Sequence, residues 1–227
     1  MSSMEKLKQA LTGKAALKQD VFALTYEKFK LLKRQIALIT EELHTYITPK
    51  DERIVVEMKS PSKYMTQITV AGDTIVFHMH TNVFAFPADN PLHKSTYLTK
   101  NPENGYCGII NVYNFLTDSF RFNRENDSGY LVARIFVNRE GNFFVEGRGQ
   151  LGFLFRDFST MKFTDEKMRE VAEAALHYAI DFDLYTPPYR AVQEVNLAEI
   201  KSISQDLKLK TGKRLGFQFS DTNPKTI

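Results

Sequence analysis

Apolar side chains recur every three to four residues between positions 15 and 46, and this spacing predicts one long α-helix. The stretch contains no proline and no glycine. The main apolar stripe consists of Phe22, Phe29, Leu32, Ile36, Ile39 and Leu43. A second stripe lies beside it, so the apolar face is wider than the seam of a two-stranded coiled coil. Because such a helix would be about 48 Å long, we expect part of it to pack on the sheet and the main stripe to bind a second copy of the chain.

Beyond Pro49 the period of the hydrophobic pattern changes to two, which predicts β-strands. Alternation begins at residue 53, and further strands are predicted over 67–71, 74–86, 108–115, 131–138 and 142–149. Turn residues at 71–73 and 139–141 indicate that two pairs of these strands form hairpins. Between the strands, residues 87–104 form a long loop rich in proline and asparagine, and long loops are often functional.

The C-terminal part returns to a helical period. An amphipathic helix is predicted over 164–184 with Thr164 as its N-cap, followed by a short helix over 197–207 and an edge strand over 208–219. Helix, consecutive strands and then helices favour an α+β fold. We therefore predict an antiparallel β-sheet of about five to seven strands, with the long N-terminal helix and the C-terminal helices packed on it. The predicted division is a helical arm (1–48), a sheet domain (49–220) and a loose tail (221–227).

Composition narrows the compartment and the class of protein. The only cysteine is Cys107, so neither an internal disulfide nor a cysteine-rich zinc site is expected. The first 14 residues lack the sustained apolar run of a signal peptide, and no stretch approaches the ~20 apolar residues of a membrane span. These features favour a cytoplasmic protein with no membrane partner.

The net charge of +3 is distributed unevenly. Residues 1–46 carry +3, residues 201–227 carry +4, and the centre carries −4. Basic ends attract anions, and Arg121 and Arg124 lie among aromatic residues that could stack on bases. A weak nucleic-acid binder is therefore one alternative function, although the basic patch is less dense than in dedicated nucleic-acid domains.

Strand alternation places a set of polar residues opposite the apolar faces of their strands. This candidate ligand-binding set consists of Glu57, His78, His80, Arg134, Glu146 and Arg148. If their strands are neighbours, one sheet face collects acids, bases and imidazoles, which suits a binding or acid–base site. A solvated antiparallel sheet face gives the same pattern without any function.

His78 and His80 lie two residues apart in a predicted strand, so both point to one face and could bind a divalent metal. No other cofactor is predicted. An enzyme or metal-binding protein that uses this pair is a second alternative function. The preferred hypothesis is a non-enzymatic protein that forms a homodimer through its N-terminal helix and binds a protein partner or small ligand at the polar sheet face or the 87–104 loop.

Overall fold

A computed structural model describes residues 1–198 and residue 200. The helices are α1 (Ser3–Ala10), α2 (Ala16–Ile47), α3 (Thr96–Lys100), α4 (Thr117–Arg121), α5 (Gly149–Leu154), α6 (Asp165–Ile180) and α7 (Tyr189–Val192). The strands are β1 (Val56–Ser62), β2 (Met65–Val70), β3 (Asp73–Ala85), β4 (Tyr106–Leu116), β5 (Tyr130–Asn138) and β6 (Phe143–Gly147). The predicted α+β fold is confirmed.

Within the described residues, the six strands form one antiparallel sheet in which every strand pairs with its neighbours in sequence. No connection crosses the sheet, because adjacent antiparallel strands need no crossover, and the longest one, between β3 and β4, contains the 87–104 loop. The β5–β6 turn contains Gly141, whose φ of +74° lies in the left-handed region that glycine adopts without strain. This connectivity matches the consecutive strands predicted from the sequence.

Helix α2 lies across one face of the sheet, and α6 packs beside it on the same face. The side chains of Phe29, Leu32, Ile36 and Ile39 are at most 3% exposed and belong to the core formed with the strands. Phe22 and Leu43 are partly buried against the same core. The main stripe therefore contacts the chain's own core, and four of the six residues predicted to bind a second copy are buried there. The buried residues of α2 and those of the predicted sheet domain form one hydrophobic core.

The N-terminal helical region begins before the predicted start at residue 15. Helix α1 begins with a capping box between Ser2 and Glu5 and continues through a π-helical turn, Leu11–Ala15, into α2. No residue of Ser3–Ala10 or Leu11–Ala15 is buried. This first part of the helix therefore extends beyond the sheet, and the core begins at Leu17.

The C-terminal helix is shorter than its pattern predicted. Thr164 caps α6 as expected, with its side chain accepting a hydrogen bond from the Lys167 backbone N–H, and the helix ends at Ile180 rather than at 184. The predicted 197–207 helix extends beyond the described residues. The predicted edge strand (208–219) and the tail (221–227) lie outside them.

Candidate functional site

The face of the sheet opposite α2 and α6, which we call the distal face, carries a line of side chains that runs across five strands. Strand register places Met65 opposite His78, His78 opposite Asn111, Asn111 opposite Arg134, and Arg134 opposite Glu146. Neighbouring strands lie ~4.8 Å apart, so consecutive members of this transverse row are within reach of one another. The sequence predicted His78, Arg134 and Glu146 for one face, and the row brings them together.

An ion pair occupies the β5–β6 end of the row. The Arg134 Nε donates a hydrogen bond of 2.7 Å to Glu146 Oε2, and Nη2 contacts the same carboxylate oxygen. The guanidinium carbon lies 5.5 Å from the centre of the Phe136 ring. Both charged side chains remain substantially exposed, so the pair contributes little to stability but fixes the direction of the guanidinium.

A cavity of about 860 Å³ lies on the distal face next to this ion pair, and we call it the aromatic cavity. Its floor includes Phe136 and Phe144, whose rings stack at 4.7 Å, and Phe86 packs against both. The 87–104 loop supplies part of the wall. The other lining residues are Phe84, Ala85, Pro87, Asn90, Pro91, Leu92, Lys94, Ser95, Cys107, Ile109, Arg134 and Glu146.

Hydrogen bonds between the loop and the β5–β6 hairpin hold this wall in place. The Tyr97 hydroxyl donates to Glu140 Oε2 at 2.8 Å and accepts from Asn138 Nδ2 at 2.8 Å. Asn104 Nδ2 donates to Glu140 Oε1 at 2.9 Å. Burial raises the pKa of Tyr97 to about 12, so the hydroxyl stays protonated as the donor that Glu140 requires.

A second cavity of about 400 Å³, the His78 cavity, lies on the same face toward α4. Met65, Val76, His78, Tyr113, Phe115 and Phe120 line it, together with polar residues of the segment that follows α4. Among those, the Arg124 side chain is 6% exposed and lies 3.8 Å from Asp118 and 3.7 Å from Asp127. Arg124 is thus buried between carboxylates, a position that does not present its charge to a nucleic-acid backbone.

His78 and His80 lie on the same face, but their surroundings differ. His78 lines its cavity, whereas the His80 ring packs edge-on against Phe84 and its Nδ1 accepts a hydrogen bond from the Asn82 backbone N–H. Within the described part of the chain, no group of three or more His, Cys, Asp or Glu side chains is arranged to hold a metal ion. Among the described residues, a divalent metal bound to this pair would therefore lack a third His, Cys, Asp or Glu ligand.

The surroundings of His78 predict how the pKa of its imidazole differs from the usual value. Burial and, to a smaller extent, the neighbouring charge of His80 lower the pKa of His78 below its usual value. Folding then favours the neutral ring, so its contribution to stability is present above about pH 6.5 and is lost as the pH falls through the folded pKa. An NMR titration of the imidazole Cε1 proton should show this lowered pKa.

The variant His80→Gln provides the control for that titration. Because it removes the like charge but leaves the burial unchanged, we expect the pKa of His78 to rise only partway toward its usual value. A wild-type His78 pKa at or above about 6.5 would contradict the partly buried position of the ring.

Three residues of the predicted binding set lie outside the row: His80 is two residues along β3 from His78, and Glu57 and Arg148 are farther away. Glu57 pairs with Lys59 on β1 and lies opposite Thr69, four residues along β2 from Met65, or about 13 Å along the strand. Arg148 precedes α5, and its charge acts on Tyr178 of helix α6. Neither side chain lines either cavity.

Asn111 and the aromatic residues of the cavity were not predicted from the sequence as part of a binding site. Alternation along β4 also places Asn111 opposite that strand's core-facing side chains, but only the register shows that it lies between His78 and Arg134. Cys107 lines the aromatic cavity but is 1% exposed, and burial raises the pKa of its thiol. It therefore remains a protonated, poor nucleophile.

The arrangement combines an apolar aromatic surface, two cavities and a small number of charged groups on one sheet face. Such a combination is typical of sites that bind small molecules. Among the described residues, no helix is long and apolar enough to cross a membrane. Comparisons with protein-family models, with curated proteins and with solved structures find no match for this chain.

Proposed function

We propose that this protein binds a small amphipathic molecule on the distal face of its sheet, with the apolar body of the ligand in the aromatic cavity. The observation that carries the proposal is the position of this cavity beside the Arg134–Glu146 pair. Phenylalanine rings supply an apolar contact surface, and the pair supplies polar groups at its edge. Its volume of about 860 Å³ lies within the ~300–1,000 Å³ range of small-molecule pockets.

The rigid support of the cavity favours binding over a purely structural role for these aromatic residues. Phe86, Phe136 and Phe144 pack against one another, while Tyr97 and Glu140 fasten the loop to the hairpin. A pocket that is already formed needs little ordering when a ligand enters, which lowers the entropic cost of binding. The proposal assigns no chemical reaction to the site.

A single-tryptophan reporter tests the proposal, because the chain contains no tryptophan. Phe84 lines the cavity and is 37% exposed, so Phe84→Trp places one fluorophore at its wall. Titration with the neutral probe 6-phenylhexan-1-ol should give a saturable change in tryptophan emission. Phe153, which is 70% exposed and does not line the cavity, provides the matched control Phe153→Trp. No saturable change at position 84, or an equal change at position 153, would contradict the proposal.

Removal of one aromatic wall should weaken binding of the same probe. Phe144 is only partly buried, so Phe144→Ala removes a ring from the cavity without emptying the main core. We expect the dissociation constant, measured by calorimetry, to rise about tenfold, since a lost aromatic contact of this size corresponds to ~1.4 kcal/mol. Phe153→Ala should leave it unchanged, and equal affinities for all three proteins would place the probe elsewhere.

A further inference from the structure

The residues that line the aromatic cavity carry more positive than negative charge. Its charged lining residues are Lys94, Arg134 and Glu146, which gives the cavity one net positive charge. Lys94 comes from the loop and Arg134 from β5, so two separate elements contribute the cations. A neutral ligand would leave this charge uncompensated, whereas a ligand with one negative charge would balance it.

The geometry of Arg134 favours a planar anion. A guanidinium group has five N–H donors in one plane, and Glu146 contacts only Nε and Nη2. The remaining donors suit the two oxygens of a second carboxylate, which a guanidinium binds in a two-pronged arrangement. The Glu146 side chain is 57% exposed, so it can move toward solvent when another anion competes for the same guanidinium.

We propose that the ligand carries a single carboxylate, which is bound by Arg134 with support from Lys94 while the apolar body lies on the phenylalanine rings. This inference rests on the proposed function, since it names the head group of the molecule in the same cavity. One carboxylate matches the single net charge. The Arg134–Glu146 pair then has a role in binding: in the free protein, Glu146 holds the guanidinium in the orientation that the ligand carboxylate needs.

Two probes of the same shape separate this inference from the proposed function. The carboxylate 6-phenylhexanoate and the alcohol 6-phenylhexan-1-ol share their apolar body and differ in the head group. Calorimetry with the 227-residue chain should give an affinity for the carboxylate about tenfold to a hundredfold higher, as expected for a charge-assisted hydrogen bond. In Arg134→Met this preference should disappear, because the carboxylate should lose at least about tenfold more affinity than the alcohol.

Two further variants control for indirect effects of the substitution. Arg139 is also on the surface and paired with a glutamate, Glu103, but it does not line the cavity. Arg139→Met should keep the carboxylate preference. Glu146→Gln removes the competing anion but retains a hydrogen-bonding group, and it should raise the affinity for the carboxylate severalfold relative to the affinity for the alcohol.

The results of these titrations separate failure of the carboxylate assignment from failure of the proposed binding function. Equal affinity of the wild type for both probes, or equal loss of both in Arg134→Met, overturns the carboxylate assignment but leaves the binding function intact. Weaker carboxylate binding by Glu146→Gln also overturns it. If neither probe binds the wild type, both the proposed function and this inference fail.

Discussion

Replacement of Leu32 by aspartate is expected to unfold the protein rather than to separate two folded copies. Leu32 is fully buried between α2 and the sheet. The substitution removes its core contacts and introduces a carboxylate that has no water around it. The expected loss in free energy of unfolding is about 5 kcal/mol or more, a large part of the ~5–15 kcal/mol that stabilises a typical domain. The near-ultraviolet circular dichroism signal and cooperative thermal unfolding should both disappear.

Leu38 offers a matched control on the same helix. Its side chain is 41% exposed, so Leu38→Asp makes the same chemical change without burying a charge. We expect it to lose only about 1 kcal/mol of free energy of unfolding, because the leucine is partly covered and aspartate is a poorer helix former. A folded Leu32→Asp protein with half the native molecular mass would contradict the structure, because it would show that the stripe binds a second copy.

These two leucines also show why the function of the stripe could not be predicted from sequence. Periodicity identifies which residues share one helix face, but it does not identify the surface that covers that face. In the structure the sheet covers Leu32 and Ile36, and the wide stripe reflects contact with β-strands and with α6. The buried part of this stripe is therefore unavailable to a second copy.

The sheet was more predictable than the site. Alternation along β3, β5 and β6 correctly placed His78, Arg134 and Glu146 opposite the core, because side chains in a strand point to alternate faces. The transverse row could not be predicted, since it depends on strand order and register. Arg148 was misplaced relative to this row because β6 ends at Gly147, and the alternation does not continue beyond that residue.

The aromatic cavity could be predicted only in part. The proline-rich 87–104 loop was expected to be functional, and it does supply part of the wall. The Phe136–Phe144 stack depends on the β5–β6 register, which the turn at 139–141 already indicated. Its contacts with Phe86 depend on how the loop folds back over the sheet, and no local pattern determines that path.

Helix α2 approaches the sheet closely at a glycine where it crosses β4. A Cβ atom added at Gly108 would lie 2.2 Å from Thr25 Oγ1 and 2.7 Å from Thr25 Cβ. Thr25 is fully buried, and its hydroxyl donates a hydrogen bond of 2.7 Å to the Val21 carbonyl oxygen. The threonine therefore has no free space to move into. The absence of a side chain at Gly108 sets how closely α2 packs on the sheet that carries the transverse row.

Gly108→Ala is accordingly expected to lower the free energy of unfolding by about 3 kcal/mol, at the upper end of the usual cost of overpacking a core. Chemical denaturation would measure this loss. In a Thr25→Gly background, which itself costs about 1 kcal/mol or more, the same substitution should cost much less, because the opposing side chain is gone. Gly72→Ala is the control, since nothing lies within 4 Å of an added Cβ there, and its effect should stay within about 0.5 kcal/mol. If Gly108→Ala costs the same with and without Thr25, the helix does not contact the sheet at this point.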